Sequence, residues 1–504
     1  MNFNPIYRRL KCEQNRCLAK TQTVVEGRLT PPHAISISKV HTLTADSVIG
    51  SREVFTGEAR YSGMVTFKAF ILDGEGKGRA LECNADFSGK IESELITSAS
   101  VVDINARLLG VEVTAVSSGE IRVGALFEIT AWALESKEIE CLDCETEGVE
   151  TKKGSVIRGE RVAKERAEFA LSNTFEDNSM VESLLVSHRA LVLSAKAGVD
   201  CVRAEGVIVT EIIGVRADGL IAQKRVETEF SEEFSALGCS LGDTVSANAE
   251  VSCEQISEEG EGVILTFNYA LSLSCEVYAR STAEVVLDCF SHNRELLVKS
   301  EEARFTAVKK GELLLEKIDG VIALKSDMPL VDSILASPTS IVTVTNSWCD
   351  SGEVTVEGII SGNIIYYSAE SNSTNSLSVE LPFSKTLTIE GAEKSDSAVV
   401  DAKVRSVAVK IRRGNEIEVK SEVLFSVLLS QEQSCSLVCS IEEGEAREDT
   451  EGVLRAHIVG NGEGLWEICK LFGASEEEVK KQNSSLSFPI KKGDLIKIFK
   501  VRQN

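Results

Sequence analysis

Aromatic residues make up only 5% of this sequence, and there are seven prolines in 504 residues. With so few rings available, a folded core has to rest on Val, Ile, Leu and Ala. No run of about 18 uninterrupted apolar residues occurs, so no transmembrane helix is expected. The opening Met1-Asn2-Phe3-Asn4-Pro5-Ile6-Tyr7-Arg8-Arg9 leads into no apolar stretch of signal-peptide length. The expected location is therefore the cytoplasm, where the 14 cysteines stay reduced. Their irregular scatter from Cys12 to Cys469 does not read as a disulfide framework.

Catalytic signatures are also missing. The five histidines, His33, His41, His188, His292 and His457, form no metal-ligand or triad arrangement. There is no phosphate-binding or dinucleotide fingerprint, and Gly74-Glu75-Gly76-Lys77-Gly78 reads as a hairpin turn. Acid pairs are as common as the composition requires, so no glycosidase pair stands out. Cys141-Leu142-Asp143-Cys144 is a CxxC, with Cys435/Cys439 and Cys12/Cys17 as candidate second pairs for a four-ligand zinc site. The spacings are loose, and reduced structural thiols are the plainer reading. No enzyme is expected, and no catalytic residue, metal or cofactor is assigned.

What the sequence does have is negative charge, a net of −24. That opposes phosphate backbones and anionic lipids, so nucleic acid is not an expected partner. The charge is uneven. From His457 to Asn504 there are eight Lys/Arg against six Asp/Glu, a net of +2, which leaves −26 on the rest. A slightly basic tail suits contact with the acidic body or with another acidic protein.

It also has period-2 alternation. Ile417, Val419, Val423, Phe425 and Val427 share one parity, interrupted only by Ser421, while Glu416, Glu418, Lys420 and Glu422 hold the other. This is a half-buried strand. Val404 to Ile411 alternates too, and Arg412-Arg413-Gly414-Asn415 joins the two as a β-hairpin. The same layout recurs at 103–132, around Ser117-Ser118-Gly119-Glu120, and at 243–277, around Glu258-Glu259-Gly260-Glu261-Gly262. Each hairpin follows a strand pair, at 52–91, 199–234 and 353–387. The second and third of these open on strands holding a glycine, Gly206 and Gly358. A period of roughly 120–140 residues suits a small β-domain. Three homologous β-sandwich or barrel-like repeats are expected at 25–140, 161–296 and 304–432. The acidic stretches 141–160 and 440–452 read as linkers with too little apolar content to fold.

After Gly452 the texture changes. Leu454 to Val459 reads as a short strand. Leu465, Ile468, Cys469 and Phe472 share a helical face ending at Gly473, a natural C-cap. Ser475 with Glu478 opens a second helix as a capping box, and Leu495 to Phe499 reads as a last strand. This β-α-α-β order, with Gly462-Glu463-Gly464-Leu465-Trp466-Glu467-Ile468, Gly473, Asn483 and Ile490, resembles the LysM family at 453–500. The resemblance implies an N-acetylglucosamine-binding groove, formed by Gly462, Glu463, Gly464 and Leu465 facing Ser485 to Ile490. Gly464 stands where the family usually has Ser or Thr, which removes a capping hydroxyl that can also meet sugar. Trp466 reads as core, and Phe488, Pro489 and Ile490 as surface candidates beside the groove.

The architecture as a whole resembles the SipL-type (SpoIVA-interacting) family of spore-coat morphogenetic proteins, whose repeats are called SPOCS domains. That resemblance implies a mother-cell protein at the forespore surface. Its LysM module would dock a SpoIVA-like coat-basement ATPase, and its β-repeats would recruit other coat proteins or self-associate. The competing expectation is a binder of peptidoglycan or its lipid-linked precursors, using the same groove on sugar. The fold class expected is mainly β: three tandem repeats, then a small β-α-α-β domain. The candidate binding residues are Gly462, Glu463, Gly464, Leu465, Trp466, Asn483, Phe488, Pro489 and Ile490.

Overall fold

A computed structural model describes residues 4–31, 35–97, 100–117, 119–258, 262–325, 328–337, 340–413, 416–447 and 454–499. Ser118, residues 259–261 and Gly414-Asn415, each part of an expected hairpin turn, lie outside the described residues, as do His33, residues 448–453 and 500–504. The protein is mainly β, and its strands form separate antiparallel sheets with no closed barrel.

Three units follow one another. The first contains β1 (Tyr7–Leu29), β2 (Ile37–Phe55), β3 (Glu58–Asp73), β4 (Gly78–Glu92), β5 (Val101–Val116) and β6 (Ile121–Leu142). Sheets β1-β6-β5 and β2-β3-β4 close on a shared core that includes Leu29, Phe67, Ile104 and Phe127. Period-2 alternation explains the sandwich, since alternate residues of each strand face inward. The second unit contains β7 (Glu150–Asp177), β8 (Met180–Ala197), β9 (Cys201–Arg216), β10 (Ile221–Ser235), β11 (Thr244–Glu258) and β12 (Val263–Phe290). Its sheets are β7-β12-β11 and β8-β9-β10. The third contains β13 (Arg294–Ala323), β14 (Ser333–Ala336), β15 (Ile341–Asp350), β16 (Glu353–Ser368), β17 (Ser373–Thr388), β18 (Ser397–Arg413) and β19 (Glu416–Ala446). Here the sheets are β13-β19-β18 and a second in which β14 and β15 both pair with β16, and β17 covers its other side. Ile417, Val419, Val423, Phe425 and Val427 are all buried, and Ser421 between them is buried with them.

Two local devices recur in all three units. Gly63 lies opposite Phe87, Gly206 opposite Phe230 and Gly358 opposite Phe383. In each case the ring folds over the glycine, where a Cβ would sit 2.5–2.7 Å from ring carbon and closer still to a neighbouring strand's carbonyl oxygen. The hairpin turn of each second sheet is also tied to the loop after the sheet's last strand. The amides of Gly57, Asp200 and Gly352 donate to the carbonyls of Ile96, Cys239 and Ala392 at 2.8–3.0 Å. The carbonyls of the same three residues accept from Ser93, Ala236 and Ile389 at 2.9–3.0 Å. All three turn residues have positive φ, at 88°, 56° and 78°.

Much of both expected linkers is strand. β6 runs on to Leu142, β7 starts at Glu150, and β19 continues to Ala446, so residues 150–160 and 440–446 belong to the sheets. Counting apolar residues misread these stretches. In a two-stranded ribbon only one face is buried, and Val156 and Ile441 are enough to supply it. The remainder of the second expected linker, 448–452, lies outside the described residues.

These extensions make three ribbons: the start of β1 with the end of β6, β7 with β12, and β13 with β19. They pack into one prism around Leu10, Ile139, Val156, Val285, Phe305 and Leu437. Two backbone amides of the second ribbon and one of the third donate to side chains of a neighbouring ribbon. Arg161 N–H donates to Glu13 at 2.9 Å, Ile157 N–H to Gln433 at 3.1 Å and Ile441 N–H to the Tyr7 hydroxyl at 3.2 Å. At these three points an edge amide that would otherwise be open to pairing is satisfied inside the molecule. The second sheets meet at another shared core around Phe70, Ile213 and Ile365. These three residues each lie seven positions after the unit's paired glycine. The units are therefore fused around common centres rather than strung on tethers.

Candidate binding face of the C-terminal module

The expected element order is present at the C-terminus: β20 (Leu454–Ile458), α1 (Leu465–Phe472), α2 (Glu476–Gln482) and β21 (Leu495–Phe499). Gly464 caps α1 without a side chain, and its amide donates to the Glu467 carboxylate at 2.9 Å. Gly473 ends α1 in the left-handed conformation. Ser475 accepts from Glu478 N–H at 3.2 Å, and the Glu478 carboxylate accepts from Ser475 N–H at 3.4 Å, the capping box that the sequence indicated. Ile468, Cys469, Val479, Ile496 and Ile498 form the module's core, with Leu465 and Ile490 half-buried against it.

The nine candidate residues divide. Gly462 holds the turn before α1 at φ 80°, and Leu465 and Ile490 each pack half-buried against the core. Phe488 and Pro489 are exposed beside them. Glu463 is engaged internally, accepting from His457 Nε2 and from Gly460 N–H, both at 2.8 Å. The His457 hydrogen bond holds its carboxyl below the usual range.

Two candidates present no surface to a ligand. Asn483 is 4% exposed. Its amide nitrogen donates to the carbonyls of Val479 and Lys497, at 2.8 and 2.7 Å, and its oxygen accepts from Lys497 N–H at 2.8 Å. It joins the end of α2 to β21, so its place is structural rather than in a groove. Asn483→Ala should destabilise the module by roughly 2–3 kcal/mol, because it strands buried backbone partners. Hydrogen exchange at the Lys497 amide would report this, and wild-type protection there would contradict it. Trp466, 9% exposed, turns toward the β-units. Its ring lies 5.0 Å from Phe290, and its indole N–H donates to Asp288 at 2.8 Å.

That contact belongs to a docking interface that the sequence hid. Lys470 also donates to Asp288, at 2.6 Å. Burial works against the Asp288 carboxylate, but the Lys470 and Trp466 hydrogen bonds outweigh it and hold its pKa below normal. His292 bridges Glu150, at 2.8 Å, and the Gly473 carbonyl, at 2.9 Å. The ring thereby links β7, the end of β12 and the C-cap of α1. Arg447 donates to the Leu471 carbonyl at 3.2 Å. The available signals were the charge contrast between module and body and the need of a buried indole N–H for an acceptor.

The thiols are placed as packing groups. Cys141 lies within β6 and Cys12 within β1, both buried in the prism core, and burial pushes Cys12 up to about 11. Among the described residues, no group of three or more His, Cys, Asp or Glu is placed to hold a metal ion. Among the same residues, no helix is long and apolar enough to cross a membrane.

Residues 331–412 match the family model described as SipL, SPOCS domain. The match spans β14 to β18 of the third unit. It supports a SipL-type family and a sporulation-related role in protein interaction. No curated protein and no solved structure matches the chain.

Proposed function

We propose that this protein is a non-enzymatic adaptor of spore-coat assembly, working in the mother-cell cytoplasm at the forespore surface. Its C-terminal LysM-type module docks a SpoIVA-like coat-basement ATPase, and its β-units recruit other coat proteins or self-associate. The carrying observation is the SPOCS match in the third unit. The glycine–phenylalanine pair and the turn hydrogen bonds shared by all three units support reading the first two as domains of the same kind. Sugar recognition needs several convergent polar groups. In the groove, Glu463 is held by His457 and Gly460, and Gly464 offers no hydroxyl. A protein ligand suits this face better than a glycan.

The test is binding of the full-length protein to the purified basement ATPase and, separately, to purified peptidoglycan. Retention by the ATPase, unaffected by chitin oligomers, is the expected result. Retention by peptidoglycan, competed by those oligomers, with none by the ATPase, would replace the adaptor with a wall-precursor binder.

A further inference from the structure

The two-stranded sheet of the C-terminal module has its polarity inverted. Its inner side holds buried Ile496 and Ile498, but also Arg455 and His457, which pack on the Phe472 ring at 5.8 and 5.6 Å. Its outer side shows Leu454, Ile458, Leu495 and Phe499, each 42–67% exposed, with exposed Ala456 and Lys497. The register sets Leu454 beside Phe499, Ala456 beside Lys497 and Ile458 beside Leu495. Five of the six outward side chains are apolar, on a face turned away from the helices. The module contacts the β-units through α1, so docking leaves this face uncovered.

We propose that this outer face docks an amphipathic helix of a partner protein, one that carries a carboxylate within its apolar stripe. The two apolar pairs stand four residues apart along the strands, about 13 Å. A helix lying along the strands covers that distance in about two turns, so apolar residues at i and i+7 or i+8 reach both pairs. Between them the small Ala456 lets a helix backbone approach, and Lys497 meets an acidic side chain at i+3 or i+4. The net +2 of this region favours an acidic partner.

Other occupants fit less well. The outer edge of β21 is already taken, because the Gln482 amide bonds both Phe499 N–H and C=O at 2.7 and 2.8 Å, and Asn483 bonds Lys497 in the same way. A strand cannot add there. A second copy packed face to face about the central pair would bring two Lys497 ammonium groups into a drying interface. Six side chains also fall well short of the roughly 800 Å² per partner of a stable dimer.

The test uses the full-length protein in cells that express it, with photoreactive p-benzoyl-phenylalanine in place of Ile458, Leu495 or, in the groove, Phe488. The expected result is adducts at 458 and 495 that map by mass spectrometry to an acidic amphipathic helix of another protein. Lys497→Glu, an exposed charge reversal, should cut the yield at 458 at least fivefold. Adducts at neither 458 nor 495, adducts at 488 alone, or adducts that map to this chain or to a strand or basic segment would overturn the proposal. The identity of the captured protein bears on a separate question. An acidic amphipathic helix from a protein other than the basement ATPase would keep this surface and remove the ATPase from the adaptor reading.

Discussion

Gly206→Ala is expected to destabilise the protein by about 3 kcal/mol, the upper part of the usual range for overpacking. The added Cβ would lie 2.0 Å from the Leu191 carbonyl oxygen and 2.5 Å from the Phe230 ring. A flexible side chain could swing aside from such a contact, but a paired strand backbone cannot move without breaking its ladder. Phe230 is 5% exposed and belongs to the same core as Phe267 and Leu271, so it has nowhere to go. Gly110→Ala is the control, since nothing lies within 4 Å of a Cβ there. It should stay within about 0.5 kcal/mol of wild type, as surface changes usually do. Urea unfolding followed by circular dichroism would read both variants. Equal midpoints would mean that the glycine is not held by the ring and the neighbouring strand. Gly63 and Gly358 carry the same contacts, so alanine there should behave like alanine at 206.

Gly206 also marks how far the sequence could be read. The alternation and the glycine inside the strand were visible, because a period of two and a missing side chain are local properties. The ring covering the glycine was not, because the Gly206–Phe230 pairing depends on register. The same divide holds elsewhere. The module's caps were legible in Ser475, Glu478 and Gly473, each acting over a few residues. Hydrophobic content alone did not show that residues 150–160 and 440–446 are strand, because their partners lie far away in sequence, as Tyr7 does from Ile441. Trp466 and Asn483 were singled out as groove candidates, but sequence does not show which way a side chain faces. Trp466 spends its N–H on Asp288 and Asn483 its amide on β21, which removes both from a groove that family likeness would give them.

The second large effect is expected at His41. Its ring stacks on Phe70 at 5.7 Å, beside the core where the three second sheets meet. It sits at a β-bulge between Val40 and Thr42, and the corresponding bulges of the other units hold Leu184 and Leu335. The ring is 2% exposed, and among the described residues neither nitrogen meets a hydrogen-bond partner. Burial, aided by the Lys39 charge, lowers its pKa to about 4. Below about pH 6.5 the unfolded chain therefore takes up a proton that the folded protein refuses. Stability is lost as pH falls from about 6.5 to about 4, by up to about 1.4 kcal/mol per pH unit for this residue, and levels off below. His41→Leu, which copies the other two units, should stabilise the protein by about 1–2 kcal/mol at pH 7 by removing an unsatisfied buried polar group. Its advantage over wild type should then widen by about 3 kcal/mol between pH 6.5 and 4. His188, also lowered to about 4 by burial, keeps its contribution in both proteins, so the difference between variant and wild type isolates His41. Urea midpoints measured across that pH range decide the matter. A leucine variant that is weaker at pH 7, or whose advantage does not grow on acidification, would show that the His41 ring is satisfied where it lies.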